Sequence, residues 1–384
     1  MSRKMTTKLC FLINRMIMGG IEKTLIRLLE GLLHLNKYEI YVVIDDYRIH
    51  PQFRSFFNNN GIKFSLLKRK KEAGFLNLLD RKFIHLINKT KLKKDLKQYD
   101  LIIDYNGCYF MKFLSSIKKP KFAWFHSGME SYLSQLIKDE DKIFNTYSKF
   151  IVLTDDLKKQ LSKRVLSSYQ AKIAHIYNPI PIKKIKYLAE VATHPRDTER
   201  YFCLIARMDS SQKDHLTAIY AFVEFLSTHP AAKFYLIGDG PQKQDLIEIV
   251  QKYGAQNNII FTGEMNNPYG YLKYACANIL SSKFEGLPTV LIEAQVLSVL
   301  NISSDCSCGP SEILLNGSAG ILFPIGDVEQ LRLALCSVWD NKQNFEHHIK
   351  TATNHIDRFS TETVIPQVDS LIQQTLDPES FTKT

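Results

Sequence analysis

The sequence predicts an α/β protein made of two Rossmann-like domains, each built on a parallel sheet. Short apolar runs rich in β-branched and aromatic residues alternate with longer amphipathic stretches, a rhythm typical of strand-helix-strand units. This alternation breaks off once near the middle of the chain and then starts again. With 384 residues, 45% of them hydrophobic, the chain is long enough for two domains of roughly 100–200 residues each. A disordered or fibrous protein is therefore excluded.

The predicted strands form two series. The first series occupies residues 9–14, 39–44, 62–67, 101–104, 122–125, 150–153 and 173–176. The second occupies residues 202–206, 234–237, 259–261, 279–281, 300–303 and 321–323. Between them, an Asn-Pro-Ile-Pro run at 178–181 favours a turn and disfavours a helix. The predicted organisation is an N-terminal domain over 1–178, a linker over 179–199 and a C-terminal domain over 200–358.

A final helix is predicted within residues 359–384. Ser360, Thr361 and Glu362 form a helix-start signal. Pro366 stands early enough to be tolerated. The apolar residues that follow at helical spacing are Val364, Ile365, Val368, Leu371 and Ile372.

The formal net charge is +11, and much of the positive excess lies in the basic segment, residues 63–97. This segment also carries apolar residues at helical spacing between 75 and 87. Two interpretations stay open: a basic amphipathic helix in peripheral contact with an anionic membrane, or a solvated helix that covers a sheet. Nucleic acid is not an expected partner, because no recognition motif accompanies the charge.

The compartment is predicted to be the cytoplasm. No stretch approaches the roughly 18 uninterrupted apolar residues of a membrane span, and the apolar run at 9–13 is too short for a secretory signal. The seven cysteines are an odd number without a metal-type pair of C-x2-C units. If the basic segment binds anionic lipid, the protein is peripheral at the inner face of the cytoplasmic membrane.

Residues 281–294 are the segment richest in candidate chemistry. A strand end leads into a turn at Gly286, and Pro288 suits the first turn of a helix. Backbone N–H groups at a helix start attract phosphate. Glu285 and Glu293 can accept hydrogen bonds from sugar hydroxyls, although each could also be an ordinary acid of a solvated helix.

Two cations follow the strand that opens the second domain. Arg207 comes directly after it and Lys213 follows within the next loop. A forked guanidinium and a compact ammonium together suit a diphosphate. The Gly-Asp-Gly-Pro run at 238–241 marks a tight turn at the same edge of the sheet.

A series of motifs runs along nearly the whole chain. The motifs are Met-Gly-Gly-Ile-Glu-Lys at 18–23, Trp-Phe-His-Ser at 124–127, Asn-Pro at 178–179, Arg207 with Lys213, Gly-Asp-Gly-Pro at 238–241, Thr-Gly at 262–263, Phe-Glu-Gly-Leu-Pro at 284–288 with Glu293, and Gly-Pro-Ser-Glu-Ile at 309–313 with Gly320.

In these motifs and their order, the chain resembles the GT-B glycosyltransferases, in particular glycosyltransferase family four, a retaining group typified by bacterial polysaccharide and lipopolysaccharide transferases. The resemblance implies two Rossmann-like domains facing each other across a cleft, with acceptor bound by the first and donor by the second. It also implies that the last helix crosses back to the first domain.

The resemblance implies a role for each predicted site residue. Arg207 and Lys213 hold the donor diphosphate and neutralise charge as its bond to the sugar breaks. Glu293 accepts from the ribose hydroxyls, Glu285 contacts the transferred sugar, and His126 lies near the reacting carbon. The catalytic set is His126, Arg207, Lys213 and Glu285, and the other donor contacts are Gly19, Gly20, Gly238, Thr262, Gly286, Leu287, Pro288, Thr289 and Glu293.

The same resemblance implies retaining transfer from a nucleoside diphosphate sugar, most simply a UDP-hexose or UDP-N-acetylhexosamine. The acceptor is a saccharide or lipid-linked saccharide of a bacterial lipopolysaccharide, O-antigen or capsule. The D-x-D motif of metal-dependent transferases has one formal match, Asp139-Glu140-Asp141, in a polar, helix-like stretch. No metal is therefore expected, and the nucleotide sugar is a co-substrate with no further cofactor.

Two alternatives remain: a GT-B sugar-nucleotide epimerase, and a non-catalytic glycosyltransferase-like partner subunit. The four residues Arg207, Lys213, Glu285 and Glu293 are all present, which disfavours the second. A Rossmann dehydrogenase is disfavoured because no G-x-G-x-x-G follows the first strand of either domain.

Overall fold

The computed structural model of the chain describes residues 6–67, 92–126, 140–195 and 200–377. The chain divides into two units: unit 1 comprises Met1–Pro179 with Thr361–Thr384, and unit 2 comprises Ile180–Ser360. Each unit contains one wholly parallel sheet, which confirms the predicted class of two Rossmann-like α/β domains.

The sheet of unit 1 has seven strands in the order β3-β2-β1-β4-β5-β6-β7. Its β1 and β4 are neighbours although far apart in sequence, with Leu9 opposite Leu101. The strands are β1 (Thr7–Ile13), β2 (Tyr38–Ile44), β3 (Lys63–Leu66), β4 (Leu101–Asp104), β5 (Lys121–Trp124), β6 (Lys149–Val152) and β7 (Ile173–His175).

The sheet of unit 2 has six strands in the order β10-β9-β8-β11-β12-β13. Counted within the unit this is 3-2-1-4-5-6, the order of the doubly wound dinucleotide-binding fold. The strands are β8 (Tyr201–Ile205), β9 (Lys233–Ile237), β10 (Ile259–Gly263), β11 (Ala277–Leu280), β12 (Leu300–Ser304) and β13 (Ile321–Phe323).

Helices connect the strands in both units. In the described part of unit 1 they include Gly20–His34, Pro51–Asn59, Met111–Leu114, Glu140–Thr146, Asp155–Arg164, Ser167–Gln170 and Thr361–Leu376. Those of unit 2 are Ile182–Glu190, His215–Leu226, Lys243–Lys252, Tyr269–Lys273, Thr289–Val296, Pro310–Ile313, Val328–Asp340 and Glu346–Asn354, with short 3-10 turns at Leu315–Gly317, Lys342–Phe345 and Ile356–Phe359.

The thirteen strands among the described residues coincide with the predicted apolar runs to within two residues at each end. The reason is visible in β4 and β11, in which every residue is buried. Strands covered on both faces read as short continuous apolar runs.

Part of the predicted linker, residues 179–199, is helical. It contains the helix Ile182–Glu190, which begins directly after Pro181 and belongs to unit 2. Ile185 and Ala189 are buried and lie one helical turn apart, so this helix packs through a narrow apolar stripe. The lysines around that stripe gave the segment its linker-like composition.

The last helix, Thr361–Leu376, belongs to unit 1, where it packs on the helix Gly20–His34. A Cβ at Gly31 would collide with Ile365, so glycine permits the close approach of the two helices. At the edge of this contact, Asp369 accepts a hydrogen bond from the Tyr38 hydroxyl and pairs with Lys37 at 2.6 Å.

Most of the basic segment, residues 68–91, lies outside the described residues. Within the described part of the chain, no helix is both long and apolar enough to span a bilayer.

Candidate functional site

The order of strands determines where each sheet can bind a ligand. In both sheets the winding reverses beside the first strand, between β1 and β4 in unit 1 and between β8 and β11 in unit 2. Open α/β sheets bind ligands outside the carboxyl ends of the strands at such a switch point. The residues that follow these four strands are therefore the first candidates.

In unit 2, the loops that follow β8 and β11 are joined to each other. Lys213 and Ser282 form an isolated antiparallel bridge, and the Lys283 N–H donates to the Gln212 carbonyl at 2.8 Å. These contacts bring Arg207 and Lys213, from one loop, to the loop that carries Glu285. The structure thus brings together two predicted parts of the donor site that lie far apart in sequence.

The centre of this contact is an ion pair between Lys213 Nζ and Glu285 Oε1. Gln212 Nε2 donates to the other carboxylate oxygen of Glu285 at 3.2 Å. The side chains of Lys213 and Glu285 are 19% and 6% exposed, so water screens their attraction only weakly. A cation and an oriented carboxylate therefore lie side by side at the switch point of the second sheet.

Arg207 lies at the more open side of the same loop. Its side chain is 48% exposed, and its guanidinium contacts Asp209 Oδ2 at 2.6 Å. Asp209 Oδ1 in turn accepts from the Ser211 hydroxyl and N–H at 2.6 and 3.1 Å, which lowers the Asp209 carboxyl pKa. Asp209 therefore holds Arg207 by a contact that an anionic ligand could replace.

The helix Thr289–Val296 begins four residues after Glu285. Its N-cap is Pro288 and no side chain caps it, so Pro288 precedes the first turn instead of opening it as predicted. Glu293 is buried in the helix. Uncapped N–H groups at a helix start are available to an anion.

A glycine outside the predicted site supports this helix start. Gly309 has φ +95°, and a Cβ there would collide with the Gly286 carbonyl and come within 2.8 Å of Pro288 Cδ. The loop 286–288 therefore rests directly on Gly309. The sequence signal was the Gly-Pro-Ser-Glu-Ile run at 309–313, quoted for the resemblance without a role.

Gly238 and Thr262, predicted to contact the donor, have structural roles here. Gly238 has φ +145°, and a Cβ would collide with the Ala206 carbonyl, so this glycine lets the turn pack on the end of β8. Thr262 Oγ1 lies 3.1 Å from the Gly263 carbonyl and 3.4 Å from that of Leu236. These contacts explain both residues without a ligand.

In unit 1, the two predicted glycines differ. A Cβ at Gly19 would collide with the Glu22 carboxylate, which is buried and lies 3.6 Å from Arg15 Nε. A Cβ at Gly20 would meet nothing within 4 Å. Local packing therefore explains Gly19, whereas Gly20 leaves open space at the start of its helix.

His126 follows β5 in unit 1. Its ring centroid lies 4.2 Å from that of Tyr105, and the ring is parallel to Trp124 at 6.4 Å. Burial lowers the His126 pKa to about 3, so the imidazole is neutral at physiological pH. Its Nε2 is enclosed and has no hydrogen-bond partner among the residues that the structure describes. His126 can therefore take part in a hydrogen bond through Nε2 but does not supply a positive charge.

Two residues of the formal D-x-D match, Glu140 and Asp141, begin the helix Glu140–Thr146 of unit 1. Glu140 Oε1 accepts from the Leu166 N–H at 2.9 Å, and Asp141 Oδ1 accepts from the Tyr169 hydroxyl at 2.6 Å. Asp139 lies outside the described residues. Glu140 and Asp141 thus tie the helix Glu140–Thr146 to the short helix Ser167–Gln170 and the residue before it. The described part of the chain contains no cluster of three or more metal-binding side chains.

Comparison with known proteins identifies the fold and finds a family that matches much of the second unit. Residues 189–355 match the family of glycosyl transferases group 1. The chain superposes on Anabaena HepE, solved in complex with UDP-glucose, with a TM-score of 0.76 at 17% identity, covering 96% of this chain and 99% of that one. The chain has the GT-B fold of glycosyltransferases.

Two curated relatives of this GT-B chain differ in how much they share with it. An uncharacterized glycosyltransferase of Methanocaldococcus jannaschii is 31% identical over 52% of this chain, which spans only 50% of that relative's length. The lipopolysaccharide 1,6-galactosyltransferase of Salmonella typhimurium is 25% identical to this chain, and the alignment covers 81% of this chain and 86% of the length of that relative. The narrower assignment to glycosyltransferase family four stays a prediction.

Proposed function

We propose that the chain transfers a hexosyl or N-acetylhexosaminyl unit, with retained anomeric configuration, from a UDP-sugar to a saccharide or lipid-linked saccharide. The product belongs to a bacterial surface glycan such as lipopolysaccharide, O-antigen or capsule. The observation that carries the proposal is the Lys213–Glu285 pair at the switch point of the second sheet. It combines a cation suited to a diphosphate with a carboxylate suited to sugar hydroxyls.

The donor is bound by unit 2. Arg207 exchanges Asp209 for the diphosphate, and Lys213 contacts the diphosphate from the other side of the loop. Glu285 then accepts hydrogen bonds from the transferred sugar, while Glu293 accepts from the ribose. The N–H groups around Thr289 add the positive end of a helix.

The transfer step follows from this charge distribution. The bond between the anomeric carbon and the diphosphate oxygen breaks, and Arg207 and Lys213 stabilise the negative charge on the leaving group. A diphosphate oxygen takes the proton of the acceptor hydroxyl, whose oxygen forms the new bond on the same face of the sugar. Two fixed cations and a helix start supply the charge stabilisation, so the reaction proceeds without an obligatory metal.

The comparisons support the choice of substrates. The solved relative HepE was crystallised with UDP-glucose, and the Salmonella relative is a lipopolysaccharide galactosyltransferase. A UDP-hexose and a glycan acceptor are the simplest substrates compatible with what is known of these two proteins.

The place of action is the cytoplasm, with peripheral contact at the inner face of the membrane through the basic segment 63–97. The positive charge of this segment and its apolar residues at helical spacing support the membrane contact. Flotation with liposomes of anionic lipid should recover the protein with the vesicles at moderate salt, and neutral liposomes are the control. Absence from the anionic vesicles would remove the membrane part of the proposal.

The experiment that tests the function is a screen of UDP-, GDP-, ADP- and CMP-sugars with EDTA present. We expect a UDP-sugar to raise the melting temperature and to release UDP slowly without acceptor. The Lys213→Ala variant should lose both effects. Lys273→Ala, which removes an exposed Lys–Glu pair of the same unit at 2.7 Å, is the matched control.

Other results would redirect the assignment. Formation of a new nucleotide sugar without acceptor would identify an epimerase. No stabilisation by any donor would identify a non-catalytic partner subunit. Activity that disappears in EDTA and returns with a divalent cation would overturn metal independence.

A further inference from the structure

Two buried serine hydroxyls bond to the loops that carry the ion pair of unit 2. Ser281 directly follows β11, and its hydroxyl donates to the Asp214 carbonyl at 2.6 Å. Ser304 is the last residue of β12, and its hydroxyl donates to the Ser282 carbonyl, also at 2.6 Å. Both serines are buried. Since Asp214 lies in the loop after β8, these hydrogen bonds join the carboxyl ends of three neighbouring strands.

Both acceptor carbonyls belong to residues beside Lys213. Asp214 is the next residue in the chain, and Ser282 pairs with Lys213 in the isolated antiparallel bridge. The Lys283 N–H donates to the Gln212 carbonyl at 2.8 Å, which continues the contact beyond that bridge. The backbone of Lys213 therefore lies between two segments that the serine hydroxyls fix.

The two hydrogen bonds are suited to holding a backbone in one position. At 2.6 Å they lie in the short part of the range for O–H···O bonds. Ser282 is itself buried, so loss of the Ser304 hydroxyl takes from its carbonyl a partner that water does not readily replace. A loop released in this way can shift, and a displacement of about 1 Å in a positioned group can lower a rate by about 100-fold. The position of Lys213 therefore depends on these hydroxyls.

Ser303 provides a comparison within the same strand. It precedes Ser304 in β12 and is equally buried. Its hydroxyl donates to the Ser304 carbonyl at 3.0 Å, so it bonds to its own strand and not to a loop of the ion pair. Successive side chains of a strand point to opposite faces of the sheet, which explains why these two neighbours differ. Removing the Ser303 hydroxyl therefore costs a buried hydrogen bond without releasing the Lys213 loop.

We propose that Ser281 and Ser304 are positioning residues of the transfer reaction. Through the Asp214 and Ser282 carbonyls, they hold Lys213 where it contacts the diphosphate of the donor. A cation fixed in this way stabilises the leaving group without reorganisation. This inference rests on the proposed transferase function, and it adds two residues to those predicted to contact the donor. Both serines act through Lys213 and not on the substrate.

The test is a set of double-mutant cycles with Lys213. Ser281→Ala, Ser304→Ala and the matched control Ser303→Ala are each made in the wild-type protein and in Lys213→Ala. The substrate is the UDP-sugar that stabilises the wild-type protein in the screen, and kcat/KM is measured for its hydrolysis to UDP. The melting temperature of every variant is recorded, so that loss of folding is seen separately from loss of rate.

We expect Ser281→Ala and Ser304→Ala each to lower kcat/KM by about 10- to 100-fold when Lys213 is present. In the Lys213→Ala protein the same changes should lower it by no more than about 2-fold, because residues that act as a unit have non-additive effects. Ser303→Ala should lower the melting temperature as Ser304→Ala does, since each loses a buried hydrogen bond, and change kcat/KM by no more than about 2-fold in either protein.

Two results overturn the inference for either serine. One is an alanine variant that hydrolyses the donor as fast as Ser303→Ala. The other is a loss by the same factor with and without Lys213, which would show a role independent of that lysine. Both results leave the proposed function intact. Absence of UDP release from every donor by the wild-type protein would overturn the proposed function, and this inference with it.

Discussion

Lys213 and Glu285 form an ion pair that joins the loops following β8 and β11. The pair is largely shielded from water, and Gln212 binds the second carboxylate oxygen. In the proposed function, Glu285 already has the orientation that it needs to meet a sugar, and Lys213 has an anionic partner until a diphosphate replaces it. A cation that is held in place before the ligand arrives stabilises a leaving group without reorganisation.

Replacing Lys213 by alanine should lower the rate of sugar transfer by about 10²- to 10³-fold, since it removes one charge-stabilising contact to the leaving group. It also leaves Glu285 buried without its cation, so the free energy of unfolding should fall by about 1–3 kcal/mol. Steady-state kinetics and urea denaturation measure the two effects. Lys273→Ala should change neither, because its partner Glu190 is exposed. Equal rates in the two variants would contradict the assignment of Lys213.

The sequence predicted the strands well because parallel strands buried on both faces leave apolar runs between polar loops. It also named Arg207, Lys213 and Glu285 individually as candidates, since each follows a strand. It did not predict that Lys213 and Glu285 pair directly. That contact depends on β8 lying beside β11, and the order of strands in a sheet is not encoded in any local pattern.

The sequence could not assign a role to a residue type that serves more than one purpose. Glycines at turns and glycines at ligand sites look alike in sequence, and only the surroundings show that Gly238 packs on β8 while Gly20 faces open space. The neutral state of His126 depends on its burial beside Tyr105, which the sequence does not show.

Gly20→Ala should lower transferase activity without lowering stability. A Cβ there meets no atom within 4 Å, and alanine favours a helix over glycine by up to about 1 kcal/mol. The melting temperature should therefore stay the same or rise while turnover falls, if a substrate passes close to the backbone. Gly19→Ala is the contrasting variant, since its Cβ displaces the Glu22 carboxylate and should lower the melting temperature. Full activity in Gly20→Ala would show that this glycine is not a site residue.

Gly309→Ala should weaken UDP binding through the loop 286–288. Its Cβ would push against the Gly286 carbonyl, and φ +95° adds strain of about 1–3 kcal/mol for alanine. Gly317 is a close control because its φ is also +95° and a Cβ there meets nothing within 4 Å. Both variants should lose stability from backbone strain, and only Gly309→Ala should lose the UDP-induced melting shift. The same shift in both variants would mean that Gly309 does not position the donor loop.

Stability between pH 4 and 6.5 should reflect two buried groups that oppose each other. Burial lowers the pKa of His126 from 6.5 to about 3, so the unfolded chain binds more protons at this site and stability falls as the pH drops through the window. Burial raises the pKa of Asp104 from 3.8 to about 7, so the folded chain binds more protons there and stability rises as the pH drops. Each group contributes a slope of about 1.4 kcal/mol per pH unit, with opposite signs.

These slopes cancel in the wild-type protein and become visible when one group is removed. Asp104→Asn should make the free energy of unfolding fall more steeply on acidification, and His126→Phe should make it fall less steeply or rise. Urea denaturation at several pH values across the window measures both slopes. Since Asp104 also accepts hydrogen bonds from Phe110 and Tyr147, the comparison uses the pH dependence and not the absolute stability of each variant. A His126→Phe profile parallel to that of the wild-type protein would show that His126 is not neutralised by burial and would restore it as a candidate cation.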